Sequence, residues 1–128
     1  CNNQSQMVEK IVLAGKGLQG TIPWELSLLS NLAVLDVASN LLKGTIPPEL
    51  SNLTAIQSLS VSNNMLTGII PSELGQMTGL QEFHAEQNML YGTIPTALGQ
   101  LSSLQRLRLG QNSLTGSLPS ELGLLMNI

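Results

Sequence analysis

The stretch LTGIIPSELGQMTGLQEF, Leu66–Phe83, returns one 24-residue period later as LYGTIPTALGQLSSLQRL, Leu90–Leu107, with the same framework of Leu, Gly and Pro. This spacing holds along the chain without insertions. The glycines and prolines of the framework are Gly20, Gly44, Gly68, Gly92 and Gly116, and Pro23, Pro47, Pro71, Pro95 and Pro119. A strict period of this length predicts a small unit that is repeated about five times and stacked on itself.

Each unit contains a short segment in which apolar and variable residues alternate, as in Arg106, Leu107, Arg108 and Leu109. A period of two is typical of a half-buried β-strand. The apolar positions form two columns: Ile11, Leu35, Leu59, Phe83 and Leu107, and Leu13, Val37, Val61, Ala85 and Leu109. A unit this small cannot cover its own apolar face, so we expect neighbouring units to bury it between them.

An asparagine recurs in the bend after each predicted strand, at Asn40, Asn64, Asn88 and Asn112. A side-chain amide in a bend can satisfy backbone donors and acceptors that would otherwise be buried without partners. We therefore expect these residues to form a structural asparagine ladder. The first unit has Lys16 at this position, which is tolerable at an end of the stack, where water reaches the bend.

Proline follows each Gly-x-Ile/Leu corner, glutamate follows it in four of the five units, and together they predict a short helical turn. Proline suits the first helical position, and a glutamate there faces the positive end of the helix dipole. The glutamates in this place are Glu25, Glu49, Glu73 and Glu121. They account structurally for half of the eight acidic residues, so the acidic composition says little about a ligand.

Composition excludes several classes of function. With five Lys plus Arg and a net charge of −3, the chain has no basic field that would attract nucleic acid. No apolar run is long enough to cross a membrane, so we expect no membrane contact by this segment. Cys1 is the single cysteine and can form neither an internal disulfide nor a CxxC site. No nucleophile–base pair or metal cluster is visible either, so we expect no enzyme activity and no cofactor.

The pattern LxxLxLxxNxLxGxIPxxLxxLxx, which covers Val8 to Ile128, closely resembles the plant-type leucine-rich repeat (LRR). This repeat is found in receptor-like kinase ectodomains, receptor-like proteins and polygalacturonase inhibitors. The resemblance implies an α/β solenoid: a right-handed superhelix of 24-residue repeats with a concave parallel β-sheet and short 3-10 or helical turns on the convex side. It also implies a second, lateral strand at each Ile-Pro segment.

Residues 1–7 resemble the end of the N-terminal cap that precedes such repeats, in which a second cysteine pairs with an earlier one. We expect 8–128 to form about five repeats that are open at the C-terminal end. The chain is therefore interpreted as a segment of a longer protein, with further repeats, a kinase or a transmembrane part outside it.

The residues that do not repeat lie at the outward positions of the predicted strands, and they form the candidate ligand-binding face. Along the stack this face changes from apolar residues to hydroxyl groups, then acidic and finally basic side chains. The candidate contact residues are Asp36, Ser58, Ser60, Ser62, Glu82, His84, Glu86, Arg106 and Arg108. Folding alone does not require such a gradient, which favours contact with a ligand.

The same residues also fit two roles other than binding a peptide or protein. Glu82 beside Arg106, and His84 beside Arg108, could be exposed cross-strand pairs that mainly keep the sheet soluble, with about 0.2–1 kcal/mol each. Glu82, His84 and Glu86 on one strand face could hold a divalent ion. We expect no metal there, because Arg108 would repel a cation and alternate residues of a strand lie about 6.6 Å apart.

The function indicated by these features is a non-catalytic module that recognises a peptide or protein, as part of an extracellular LRR receptor or receptor-like protein. One alternative is an inhibitor of secreted cell-wall glycosidases, like the polygalacturonase inhibitors. Another is binding to an ordered surface such as ice, which would require a regular ladder of Thr or Asn on a flat face.

Two N-x-S/T motifs, at Asn3 and Asn52, are candidate glycosylation sites. A glycan on the convex side would leave the concave sheet clear and would agree with the extracellular or cell-surface location that the resemblance implies. Trp24 and Tyr91 are single aromatic residues in columns otherwise held by smaller side chains, where they would cover lateral surface or anchor a partner.

Overall fold

The structure is a computed structural model that describes residues 7–125. Its strands are short and are numbered here in chain order: β1 Lys10–Val12, β2 Gln19–Thr21, β3 Val34–Asp36, β4 Leu41–Gly44, β5 Ser58–Ser60, β6 Met65–Leu66, β7 Glu82–His84, β8 Tyr91–Thr93, β9 Arg106–Arg108 and β10 Ser113–Thr115. The 3-10 helices are Trp24–Leu28, Pro48–Asn52, Ser72–Gln76, Thr96–Gln100 and Ser120–Leu124. Residues 1–6, most of the predicted cap remnant, and 126–128 lie outside the described residues.

The odd-numbered strands form a parallel sheet in the order β1-β3-β5-β7-β9. Each residue pairs with the equivalent residue of the next repeat, as Leu35 does with Leu59 and Leu59 with Phe83. The sequence period is therefore also the register of the sheet. The predicted solenoid, with its parallel sheet and its short 3-10 turns, is confirmed.

The inward columns build the core. Leu35, Leu59 and Phe83 are completely buried, and the leucines of the 3-10 helices, such as Leu74, are buried behind them. The sequence predicts that Leu13 points inward as well, but 40% of its surface is exposed, because it lies next to β1, the edge strand of the sheet. Each fully buried Leu or Phe stabilises the fold by roughly 1.5–3 kcal/mol relative to exposure.

The even-numbered strands form two lateral sheets, β2-β4-β6 and β8-β10. In these sheets the sequence separation between paired residues is two residues shorter than the 24-residue repeat. Gln19 pairs with Leu41 instead of Lys43, and Tyr91 pairs with Ser113 instead of Thr115. The hydrogen bonding continues between the two sheets, since the N–H groups of Met89 and Tyr91 donate to main-chain carbonyls of the preceding repeat at 2.8 and 2.9 Å. Side chains one period apart consequently run diagonally across the lateral face.

The framework glycines sit where each lateral strand turns. Gly68 has a φ of 82°, a conformation that L side chains rarely adopt, and a Cβ there would lie 2.8 Å from the Thr45 methyl group of the preceding repeat. Both the backbone conformation and the close approach therefore require glycine.

The prolines precede the helical turns instead of opening them. Pro71, for example, is the N-cap residue, with extended backbone angles of −64° and 131°, and its carbonyl accepts the hydrogen bond of Leu74 N–H at 3.2 Å. The expectation that proline occupies the first helical position is wrong for all repeats but the second, where Pro48 follows Pro47. Glutamate still lies in the first turn, as Glu73 does.

Candidate functional site

The concave sheet brings the candidate contact residues into straight rows across the strands. One row contains Val34, Ser58, Glu82 and Arg106, and the next contains Asp36, Ser60, His84 and Arg108. Neighbouring strands of a sheet lie about 4.8 Å apart, so adjacent members of a row are within contact distance of one another. Hydroxyl, acidic and basic groups thus share one surface.

Arg106 and Glu82 form an ion pair on this surface. Arg106 Nη1 donates to Glu82 Oε1 at 2.9 Å, and the two side chains are 64% and 31% exposed. A pair with this much exposure is worth little to stability, about 0.2–1 kcal/mol. Arg108 makes no ion pair with any residue in the range 7–125, so its guanidinium is free to bind an anionic group.

His84 and Glu86 each bury a polar atom without a partner. Among the described residues, His84 Nε2 and Glu86 Oε2 are the buried side-chain atoms that make no hydrogen bond. Ser60 and Ser62 lie on the preceding strand segment, where their hydroxyl oxygens are 3.3 Å apart and bond each other. Unsatisfied buried groups are rare in native proteins and often mark functional positions.

The carboxylate of Asp36 already has a hydrogen-bond partner within its own repeat, because Oδ1 accepts from the backbone N–H of Ala38 at 3.0 Å. The candidate face therefore divides into two parts. The ion-paired and locally bonded residues Asp36, Glu82 and Arg106 have partners, whereas His84, Glu86 and Arg108 offer unused hydrogen-bonding or ionic capacity.

The asparagines tie each bend to the repeat before it. Asn88 Nδ2 donates to the carbonyls of Val61 and Ala85 at 3.0 and 3.2 Å, and its Oδ1 accepts from Leu66 N–H at 3.0 Å. In the first repeat, which has Lys16 in place of asparagine, the Lys16 N–H donates a hydrogen bond to Asn40 Oδ1 of the next repeat at 3.0 Å. These bonds hold the strand ends that carry the candidate face.

The residue before each asparagine has a left-handed backbone, which the sequence reasoning missed. These residues are Ser39, Asn63, Gln87 and Gln111, with φ between 53° and 59°. The conformation aims their N–H groups at the next repeat, as for Gln87, which donates to the Gly110 carbonyl at 2.9 Å. A signal existed in the sequence: the first repeat has Gly15 at this position, with a φ of 67°.

No group of three or more His, Cys, Asp or Glu side chains within 7–125 is arranged to hold a metal ion. In the same part of the chain no helix is long and apolar enough to cross a membrane.

Of the two candidate glycosylation sites, Asn3 lies outside the described residues. Asn52 is exposed at the end of the 3-10 helix Pro48–Asn52, and Thr54 of its motif is exposed as well. This helix lies on the side of the repeat opposite the concave sheet. Trp24 and Tyr91 are 50% and 55% exposed, so neither is buried by the fold.

Solved structures similar to this chain include complexes of plant receptors. A structure of the plant peptide hormone receptor RGFR1 in complex with RGF2 is 42% identical, with a TM-score of 0.84 over 86% of this chain and 18% of that chain. PEPR1–AtPEP1 is 37% identical, with a TM-score of 0.91 over 94% and 17%. The BIR3–SERK2 complex from Arabidopsis thaliana is 36% identical, with a TM-score of 0.89 over 94% and 65%.

This chain thus spans less than two thirds of the length of each of these relatives. No curated protein sequence matches it. The family model named Leucine Rich Repeat matches residues 31–53, 55–77 and 103–125, which together make up more than half of the chain. On this match, and on its likeness to the plant receptor structures, the chain belongs to the Leucine Rich Repeat family.

Proposed function

We propose that this chain is a non-catalytic recognition module whose concave sheet binds a peptide or protein, within an extracellular or cell-surface LRR receptor or receptor-like protein. The observation that carries the proposal is the contrast between the two faces of one sheet. Inward residues such as Leu35 and Leu59 are apolar throughout, whereas their outward neighbours range from Val34 to Glu82 and Arg106.

The free groups on the face favour a ligand that carries both charges. Arg108 is exposed and unpaired among the described residues and suits an anionic group, while the half-buried carboxylate of Glu86 suits a hydrogen-bond donor or a cation. Arg108 and His84 are register partners, and Glu86 lies two residues further along the strand direction. A ligand in extended conformation could reach both sites with neighbouring side chains, because alternate residues of a strand are about 6.6 Å apart.

Relatives of known structure support a peptide-binding role. One is the plant peptide hormone receptor RGFR1 in complex with RGF2, and another is the Arabidopsis receptor kinase HAESA in complex with the peptide hormone IDA and the co-receptor SERK1. The present chain covers 18% and 24% of those two chains. We therefore expect it to supply part of a ligand site, with weak affinity when it acts alone.

A selection experiment tests the proposal. Random peptides displayed on phage are selected on the immobilised chain, and the enriched peptides are measured by calorimetry against two variants. Arg106→Ala/Arg108→Ala removes two charges from the concave face, and Lys16→Ala, at the bend after β1, removes a charge elsewhere as the control.

We expect the concave variant to lose at least about tenfold in affinity, since buried or clustered arginines are frequent hot spots, while the control stays within about twofold. Circular dichroism should show that both variants fold. Equal losses in the two variants, or no enrichment of any peptide, would argue against the concave face as the binding site.

A further inference from the structure

The lateral sheets present a second surface that the concave site does not use. Five large apolar side chains point outward there and are 41–57% exposed; they are called the lateral apolar stripe and are Leu41, Met65, Ile69, Met89 and Tyr91. The fold does not need them, because inward residues of the same segments, such as Leu42, Leu66 and Leu90, already supply the core. Contiguous exposed apolar surface of this kind marks interaction sites.

The members of the stripe are neighbours in space. Leu41 and Met65 line one hollow together with Lys43. The N–H of Tyr91 donates a hydrogen bond to the Gly68 carbonyl. With the same shortened register that pairs Tyr91 with Ser113, this bond makes Ile69 the neighbour of Tyr91 in the preceding repeat. The N–H of Met89 donates to the Leu66 carbonyl at 2.8 Å, which continues the lateral pairing into the next repeat. Because this pairing is shorter than the sequence period, the column of Leu41, Met65 and Met89 becomes a diagonal that crosses three repeats.

Opposite charges lie at two borders of the stripe. Lys43 is the register partner of Met65 and lines the hollow beside it, while Glu73 lines a second hollow beside Ile69. Neither makes an ion pair with any described residue. Lys43 is the single charged residue that points outward from β2, β4, β6, β8 and β10.

We propose that two copies of this chain associate through the lateral apolar stripe about a two-fold axis, with Lys43 of each copy facing Glu73 of the other. A two-fold interface must be complementary to itself, so a contact found at one border recurs at the other. If the two-fold axis lies in the contact plane and bisects the line from Lys43 to Glu73, it places Lys43 of one copy opposite Glu73 of the other. The same axis places Glu73 of the first copy opposite Lys43 of the second, so two oppositely charged pairs form.

The chemistry of the stripe suits this contact. Tyr91 supplies a large anchor at low entropic cost, and the methionines adapt their shape to a facing surface. The centre of the stripe carries no charge, so two copies meet there without repulsion despite the net charge of −3 on each chain. This association is independent of ligand binding on the concave sheet.

The test is sedimentation equilibrium of the chain at concentrations up to about 1 mM, combined with NMR of the methionine methyl groups. We expect a monomer–dimer equilibrium. The Met65 and Met89 methyl signals should shift with protein concentration, while that of Met77, which is 2% exposed in the core, should not.

Charge exchange gives the sharper readout. Lys43→Glu and Glu73→Lys should each weaken the dimer by about tenfold, because each brings like charges together twice, and the double variant should restore it. Met65→Glu should also weaken it, whereas Leu28→Glu, at a position 70% exposed on the convex side, should not. Both charge-exchange positions are exposed, so these variants are expected to fold.

A chain that stays monomeric throughout would overturn the proposal and leave the stripe to a different partner. A dimer that responds to neither Met65→Glu nor the charge exchanges would overturn it too, since it would form through another surface such as the ends of the stack. Weakening by both single exchanges without rescue in the double variant would refute the pairing of Lys43 with Glu73.

Discussion

The side-chain amide of Asn88 donates a hydrogen bond to the main-chain carbonyl of Val61, in the preceding repeat, at 3.0 Å. The same amide also serves the Ala85 carbonyl of its own repeat at 3.2 Å. One buried side chain therefore links the ends of two neighbouring strands by hydrogen bonds. Glu86 and Gln87, at the margin of the candidate face, lie directly before it in the chain.

Replacing Asn88 by alanine should destabilise the fold by about 1–3 kcal/mol, because it leaves the buried N–H of Leu66 without its partner. It also removes one of two amide donors from each of the Val61 and Ala85 carbonyls, which keep their bonds to Asn64 and Asn112. Urea unfolding followed by circular dichroism measures the loss. Asn112→Ala provides the comparison, since Asn112 makes similar bonds in a more exposed setting and should cost less. If Asn112→Ala lowered the free energy of unfolding as much as Asn88→Ala or more, burial of the asparagine side chain would not determine the size of the loss.

Gly99→Ala should destabilise the chain by roughly 1–3 kcal/mol through overpacking between 3-10 helices. A Cβ at this position would lie 2.6 Å from Glu121 Cβ and 2.7 Å from the Glu121 carbonyl oxygen. Gly110→Ala is the matched control, because nothing lies within 4 Å of its added methyl group and its φ is not positive. Thermal unfolding of the two variants should separate them; equal midpoints would show that the helices can move apart freely.

Gln87→Gly should stabilise the fold, because Gln87 has a φ of 59°. The left-handed conformation costs an ordinary residue roughly 1–2 kcal/mol, which exceeds the roughly 0.5–1 kcal/mol that glycine loses through backbone entropy. Gln105→Gly, at an exposed position without a positive φ, should instead be destabilising. The midpoints of urea unfolding of both variants decide the matter, and a loss of stability at Gln87 would contradict the strain argument.

Asn52 should carry an N-linked glycan when the chain is secreted from a eukaryotic host, because Asn52 and Thr54 are exposed. Mass spectrometry before and after enzymatic deglycosylation measures the occupancy, and Asn52→Gln should abolish the modification at this site. Thr54→Ser keeps the motif and should keep the glycan. Unmodified Asn52 in the secreted protein would remove it from the candidate sites.

The period and the alternation of residues determined much of this structure in advance. The constant step between repeats fixes the register Leu35–Leu59–Phe83, because neighbouring units with equal apolar columns bury the most surface when they stack without a shift. The same argument places Ser60, His84 and Arg108 in one outward row of the sheet. These features follow from local patterns that repeat, and so they could be predicted from the sequence alone.

Tertiary structure decided the features that depend on how one repeat is displaced against the next. The sequence suggested side-chain pairs both for Glu82 with Arg106 and for His84 with Arg108, but within 7–125 only the first is a bonded ion pair. The shortened pairing of the lateral sheets, which gathers Leu41 and Met65 on a diagonal, was also not visible in the sequence. Spacing along a chain defines which positions are equivalent, whereas side-chain rotamers and the tilt between repeats result from packing of all units together.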